Sequence, residues 1–481
     1  MVGAVVVAAT LAGCSRAAAT REPASAPASA ASAAPSTAPT SPSPSPLSAA
    51  APRSFRGTLA DGATWLIEVP GTWNGTLALY SHGYVGPGST NPALDVGDHV
   101  TRQWMLDHGY ALAGSSYATT GWAIEQAIPD QLATLDAFER VVGHPRQTIA
   151  WGHSLGGMVT AGLVQDQPGR FAGALPMCGV VGGGVGTWNE GLDSSVATKV
   201  LLPDSSYPVV NLTDPAAALT DARTVLASAQ QTPEGRARIA LAAALTDLPG
   251  WYTGGSPEPA KTDFAAQEVN QYSWITGIDI LFATFARADL ERRAGGNVSW
   301  NVGVDYGTQL QRSVDRPEVE ALYRQAGLDL KSDIARLNAS SRISADPKAV
   351  AYLRKNITFS GDLGIPVLSM HTTGDGLVVV QQEQAYAKAA RDAHDADRLQ
   401  QVFVHRAGHC AFSSAETITA FQSLLHRIDT NQWGSLAPAA LNSAAAALGP
   451  SFSTGQPPSF ISYRPAPFLR PFDQSSRVPS G

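Results

Sequence analysis

Gly152-His153-Ser154-Leu155-Gly156-Gly157 is the stretch of this chain that decides the fold. Before it, Gln147-Thr148-Ile149-Ala150-Trp151 is an apolar, strand-like run, and after it Met158 to Val164 is apolar at helical spacing. A serine between two glycines at a strand-to-helix junction predicts a sharp elbow, with its hydroxyl lifted above a sheet edge. Such a turn holds the serine in a strained backbone conformation, so the glycine positions must be small. It also sets Oγ at a helix N-terminus, where unpaired amides favour developing negative charge. The pattern alone fits a glycine-rich turn with a surface serine equally well. Its context decides.

With 481 residues the chain has room for one large domain with an insertion, or for more than one domain. A formal net charge of -7 leaves no basic face for nucleic acid, so no nucleic-acid partner is expected. Met1 to Ala12 is apolar but too short to cross a bilayer as a helix. It runs into Leu11-Ala12-Gly13-Cys14, which resembles the bacterial lipobox, although no Lys or Arg precedes Arg16. Residues 1–14 are therefore expected to be a lipoprotein-type signal peptide with Cys14 as the lipidation candidate, the alternative being a signal peptide cleaved elsewhere. The 15–53 stretch of Ala, Ser, Pro and Thr cannot build a core and reads as a disordered tether. The protein is thus expected outside the cytoplasm, secreted or on the cell surface, touching membrane only through a lipid on Cys14. Export permits disulfides, and of the three cysteines Cys178 and Cys410 remain as candidates to pair or to stand as separate thiols.

From residue 54 the chain alternates strand-like and helix-like segments. Phe55 to Leu59 and Trp65 to Val69 read as a hairpin, then Thr76 to Ser81 and Tyr110 to Ser115 as buried strands with a helix at Val100 to His108 between. A helix at Ile128 to Val142 precedes the elbow, and a strand at Ala172 to Met177 follows it. The rhythm predicts a mostly parallel α/β sheet flanked by helices. It then stops. From 179 to 363 the segments are helical, including Asp214 to Ala229, Glu234 to Leu245, Thr262 to Arg293, Pro317 to Leu337 and Pro347 to Lys355. Strand-like runs resume at Ile365 to Met370 and Leu399 to Val404, with helices at Gln381 to Ala393 and Glu416 to Ile428. The expected organisation is a core of 54–178 and 364–433, a helical cap inserted at 179–363, and a tail, 434–481, packed on the core. The glycine run Gly179 to Gly186 lacks the Lys-Ser/Thr of a phosphate loop and reads as a flexible entry to the cap.

Acyl transfer by a serine needs a base for the Oγ proton, an acid to orient that base, and amides for the oxyanion. His409 stands in Ala407-Gly408-His409-Cys410, just after the last core strand, and is the base candidate; His405, its competitor, sits at the end of the strand, and His153 inside the elbow is expected to pack or hydrogen-bond near the turn. Asp375 ends Met370-His-Thr-Thr-Gly-Asp375 on a turn past a strand and is the acid candidate. Glu190 and Asp193 after the preceding strand are its rivals, and Asp362 before the strand is a weaker one. His82-Gly83-Tyr84 closes an early strand and resembles the His-Gly oxyanion loop of lipases and esterases, which assigns the amides of Tyr84 and Leu155 to the oxyanion hole. No His, Cys, Asp or Glu cluster has metal-ligand spacing, so neither metal nor cofactor is expected.

This order of His-Gly loop, serine, acid and histidine, over residues 54 to 430, resembles the α/β-hydrolase superfamily, and the local motifs resemble those of secreted bacterial esterase-type members. The resemblance implies hydrolysis of a carboxylic ester, small or polymeric, through an acyl-enzyme. A serine peptidase of the same fold is one alternative; a non-catalytic cell-surface binding protein on this scaffold is another. Feruloyl esterases and tannases bridge a cysteine beside the serine to one beside the histidine. Here Cys410 follows His409 but residue 153 is His, which leaves Cys178 as the implied partner. Trp122, Trp188, Trp251, Trp274 and Trp300 fall in loops or the insertion, where they line an apolar pocket or belong to a core.

Overall fold

A computed structural model describes residues 51–453 and 455–470. The expected signal peptide, Cys14 and nearly all of the expected tether lie outside the described residues. The strands are β1 (Arg53–Thr58), β2 (Thr64–Val69), β3 (Thr76–Ser81), β4 (Ala111–Ser115), β5 (Gln147–His153), β6 (Gly173–Met177), β7 (Val367–Gly374), β8 (Leu399–Ala407) and β9 (Phe460–Ile461). They form one sheet in the order β1-β2-β4-β3-β5-β6-β7-β8-β9. The ladder from β4 to β8 is parallel, while β1, β2 and β9 pair antiparallel at its margins. Every residue of β3, β4 and β6 is buried, as expected of strands covered on both faces, whereas outer strand β1 is mostly exposed.

Helices α1 (His99–Asp107), α2 (Ile124–Val141) and α3 (Leu155–Asp166) connect the early strands. One face of the sheet packs Tyr80, Trp151, Leu175 and Met370 against Trp104 of α1 and a later helix. The other packs Leu79, Ala150 and Ala174 against Phe138 of α2 and Val159 and Leu163 of α3. Parallel connections of this kind bring the carboxyl ends of β3, β5, β6, β7 and β8 to one edge.

Between β6 and β7 the described chain is helical: α4 (Gly184–Leu201), α5 (Pro215–Ala229), α6 (Pro233–Ala244), α7 (Phe264–Trp274), α8 (Arg287–Ala294), α9 (Tyr306–Arg312), α10 (Arg316–Ala326), α11 (Leu330–Ala339) and α12 (Pro347–Asn356). Local chemistry sets several starts. Asp214-Pro215, Thr232-Pro233 and Asp346-Pro347 each place an N-cap oxygen on a helix amide and a proline at the first helical position. Gly327, in the left-handed region at φ 69°, splits the expected 317–337 helix into α10 and α11. The expected 262–293 helix is continuous from α7 to α8, but takes π-helical turns at Ile275–Asp279 and Phe282–Ala286. The entry at 179–186 is anchored, with Val180 and Val181 buried and the Gly182 amide donating to Gln382 Oε1 at 2.7 Å.

The helical block has a core of its own, including Leu192, Leu226, Leu241, Tyr306 and Tyr323. It also shares one with the sheet, because Val185, Trp188, Leu290 and Leu353 join the α2–α3 side. The described residues accordingly belong to a single compact unit. The chain closes with α13 (Gln381–Asp392), α14 (Ser414–Thr430) and α15 (Pro438–Ala447). A buried ion pair from Arg406 of β8 to Glu416 of α14, at 2.6 Å and 3.0 Å, fixes the segment between them. The tail packs α15 against α14, pairs β9 with β8, and sends Arg470 to Asp193 at 2.8 Å. Among the described residues no helix is long and apolar enough to cross a membrane.

At the carboxyl end of β5, His153 packs among Tyr80, Trp151 and Phe412, with its Nδ1 3.3 Å from the Tyr80 hydroxyl. Burial pushes this imidazole down to about 4 from its ordinary 6.5. The unfolded chain therefore binds a proton there that the folded chain refuses, and stability falls as pH drops from 6.5 towards 4. This residue is expected to remove about 3 kcal/mol across that window. Urea midpoints of wild type and His153→Gln across pH 4 to 7 test it: the gap between them should change by that amount, and a constant gap contradicts it.

Candidate active site

Ser154 follows β5 as the N-cap of α3, at φ 58° and ψ -124°. The crowding around it explains both glycines. A Cβ at Gly152 would lie 2.4 Å from the Ser81 carbonyl oxygen, and one at Gly156 only 1.9 Å from the same atom. With no side chain at either position the elbow closes against β3, and the Ser154 amide donates to the Met177 carbonyl at 3.0 Å. The hydroxyl is left at the cleft, beside the first turn of α3.

His409 reaches that hydroxyl: its Nε2 lies 2.8 Å from Ser154 Oγ. Its Nδ1 lies 2.7 Å from Asp375 Oδ2. The carboxylate can only accept, so Nδ1 carries the proton and Nε2 is free to take one from Ser154. Asp375 is buried and held by its own turn, with Oδ1 accepting from the Leu377 and Val378 amides at 3.1 and 3.0 Å. The loop after β8 is tied covalently to the sheet by a Cys178–Cys410 disulfide, with Cα atoms 5.4 Å apart and a sequence separation of 232. Both cysteines have positive φ, at 44° and 52°, and the Cys178 amide donates to the Met370 carbonyl at 2.8 Å. The bridge therefore joins the residue after His409 to the end of β6.

The rival residues are occupied elsewhere. Asp193 accepts from Arg470, Tyr306 and Gln309 inside the helical block. Asp362 is exposed before β7. His405 contacts Glu258 at 3.0 Å and Thr373 at 3.2 Å. Glu190 lies on α4 and lines the cleft, where burial first, and then the charges of Asp247 and Asp193, push its carboxyl well above the ordinary range. Among the described residues, the group of His, Cys and acidic side chains close enough to share a metal is Asp375, His409 and Cys410. The Cys410 sulfur is in the disulfide, so it offers no thiolate there.

Tyr84 and Leu155 both line the cleft with Ser154, which measures about 1290 Å³ counting its open mouth. A Cβ on Gly83 would sit 3.5 Å from Ser154 Cβ, so the His82-Gly83-Tyr84 loop runs directly beside the hydroxyl. His82 is buried under Tyr117, its nitrogens 2.7 and 3.1 Å from the Gly83 and Ser116 carbonyls, and it holds that loop in place. Five aromatic residues line the cleft, Tyr207 and two contacting pairs: Tyr84 packs on Phe282 at 5.0 Å and Trp122 meets Trp188 edge-on at 5.3 Å. Of the other tryptophans, Trp274 presses on Gly376, Trp251 packs by His405 and Trp300 joins the shared core.

Sequence reasoning missed two groups of contributors. The π-helical turns bring Ile275, Asp279 and Phe282 to the cleft, and nothing in a plain helical periodicity announces a π turn. Behind Asp375, His371 and Glu383 form a buried polar pair. A polar end to the buried run Val367 to Met370 was the available signal for His371.

A profile of the tannase-like family of unknown function (DUF6351) matches residues 58–429. The o-phthalyl amidase of Xanthobacter agilis is 30% identical over 421 residues, spanning 81% of this chain and 90% of the amidase. Among solved structures, feruloyl esterase B from Aspergillus oryzae aligns over 79% of this chain and 82% of its own, at 14% identity and a TM-score of 0.39. The acylaminoacyl peptidase of Pyrococcus horikoshii aligns over 80% of this chain and 42% of its own, at 12% identity and a TM-score of 0.38. Resemblances that distant carry no functional argument; the strand order and elbow define the α/β-hydrolase fold by themselves. A hydrolase of the α/β-hydrolase type, the chain belongs to the tannase-like family DUF6351.

Proposed function

We propose that this protein is a serine hydrolase that cleaves a carboxylic ester through an acyl-enzyme on Ser154. The observation that carries the reading is the unbroken Ser154–His409–Asp375 hydrogen-bond chain at the mouth of an aromatic cleft. In it, His409 Nε2 takes the Oγ proton as Ser154 attacks the carbonyl carbon. The oxyanion sits between the Tyr84 and Leu155 amides, the latter at the first turn of α3 where helix amides lack internal partners. His409 then gives its proton to the leaving oxygen, and a water deprotonated by His409 releases the acid. Asp375 holds the ring in the required tautomer and stabilises the imidazolium. An amide bond is the second reading, favoured by the o-phthalyl amidase that the chain matches over most of its length. Only the leaving group changes, an amine taking the proton in place of an alcohol. The disulfide and the Leu11–Cys14 run support an exported protein with Cys14 as the lipidation candidate.

A fluorophosphonate probe should label the wild type and not Ser154→Ala, and Ser154→Ala should lose about six orders of magnitude in kcat. Asp375→Asn should lose about four, because the wrong tautomer is then favoured. Equal labelling of wild type and Ser154→Ala would falsify the assignment. Rates on p-nitrophenyl esters and aryl-acid anilides, compared on one preparation, separate the ester and amide readings. Faster turnover of anilides at matched acyl groups overturns the ester preference.

The bridge closes a long loop and pins the histidine, so its loss should cost both stability and rate. Cys178→Ser with Cys410→Ser is expected to lower stability by about 3–5 kcal/mol and to slow probe labelling. Non-reducing peptide mapping should recover the two cysteines in one fragment, and two free thiols would contradict it.

A further inference from the structure

His371 lies within the buried run of β7, four residues before Asp375, and is fully buried. Both of its ring nitrogens face acceptors. Nε2 lies 2.7 Å from the Val378 carbonyl oxygen, a group that can only accept, so this nitrogen carries a proton. Nδ1 lies 3.1 Å from Glu383 Oε1. Glu383 is itself buried and already takes donors from two sides, the Ser369 hydroxyl on Oε1 at 2.7 Å and the Gln401 amide on Oε2. That is the environment of an ionised carboxylate, which asks Nδ1 for a second proton. The same Nε2 is 3.7 Å from Asp375 Oδ2, the oxygen that also meets His409. Val378 closes the arrangement, because its amide donates to Asp375 Oδ1 while its carbonyl accepts from His371.

Resting on the Ser154–His409–Asp375 reading, we propose that His371 is a permanent imidazolium behind the triad. Its charge keeps Asp375 ionised and makes His409 a weaker base than a lone Asp375 would. The charged and titratable groups around it are Glu383 and, through Glu383, Tyr386 on α13, and Asp375 in the following loop, with His409 and Asp279 beyond Asp375. The neighbouring strand β8 offers the apolar Phe403 in register. Burial opposes the charged ring, but the hydrogen bond and charge of Glu383, then the charge of Asp375, outweigh it and hold His371 above its ordinary value. His82 is the internal contrast: its nitrogens meet two carbonyls and no carboxylate, and burial holds it below the ordinary range. His371 touches no reacting atom and is a positioning residue. Its effect on catalysis is to leave His409 neutral, and therefore competent as base, further into mildly acidic pH.

Two measurements test this. In protein labelled with ¹⁵N-histidine, His371, assigned by its absence from His371→Gln, should show two ring N–H correlations throughout pH 6 to 9. A single ring N–H at pH 7 overturns the proposal, whatever the enzyme does. The rate of fluorophosphonate labelling of Ser154 needs neutral His409 and no knowledge of the substrate. Its acidic midpoint should rise by about one pH unit in His371→Gln, which slows labelling about tenfold below the midpoint. Glu383→Gln keeps the ring and removes its counter-charge; it should lose one ring N–H and shift the midpoint the same way. This variant decides the matter if His371→Gln does not fold. Labelling slowed uniformly with an unmoved midpoint reduces His371 to a structural role and overturns the proposal. A wild type that does not label at all refutes the Ser154 reading instead, and the ring spectrum still decides the charge of His371.

Discussion

The Ser81 carbonyl oxygen, wedged between the backbones of Gly152 and Gly156, is the contact on which the site depends. It brings the end of β3 so close to the elbow that no side chain fits at either glycine. Closing the turn that tightly forces Ser154 to positive φ, a conformation that costs an L-residue about 1–3 kcal/mol and persists only when its surroundings over-determine it. Here they do, through β3 on one side and the Met177 carbonyl on the other. The strain is local, and its yield is a hydroxyl at the first turn of α3 beside the His82–Tyr84 loop.

The second constraint lies across the sheet. Asp375 and His409 come from different loops, and each is restrained independently of the other. Asp375 is fixed by two amides of its own turn, while the His409 loop is bounded by the Arg406–Glu416 ion pair and by the disulfide to β6. The hydrogen bond between them thus joins two parts already in place. That preorganisation is what a base needs, because a side chain that must be ordered during the reaction costs entropy at that moment. The cleft follows the same logic. Its sheet side holds Ser154 and its other walls come from α4 and the π-helical turns, and the core shared by Trp188, Val185 and the sheet keeps these walls in register.

Much of this could be read from residue order. The elbow, the parallel strands and the run of helices between β6 and β7 were legible in local patterns, because each pattern reports backbone geometry within a few residues, and the same patterns put Ser154, Asp375 and His409 forward as candidates. Strand β9 was not legible, since two residues pair there only because β8 has an open margin. Helix α4 was hidden by its glycine run, whose amide anchor, Gln382, lies 200 residues away in sequence.

By itself the sequence determined the order of the candidate groups, a His-Gly loop, a serine, a carboxylate and a histidine, along an alternating α/β chain. Only the tertiary structure decided which carboxylate meets His409. In sequence Asp375 was the candidate and Glu190 and Asp193 its rivals, all three in segments after strands, and hydrogen bonding selects by distance and direction, neither of which is local in sequence. It likewise decided that Cys178 meets Cys410, and that His371 and Glu383 stand behind Asp375. Charge acts through space over a few ångströms, so groups far apart along the chain set one another's protonation only once the sheet has brought them together.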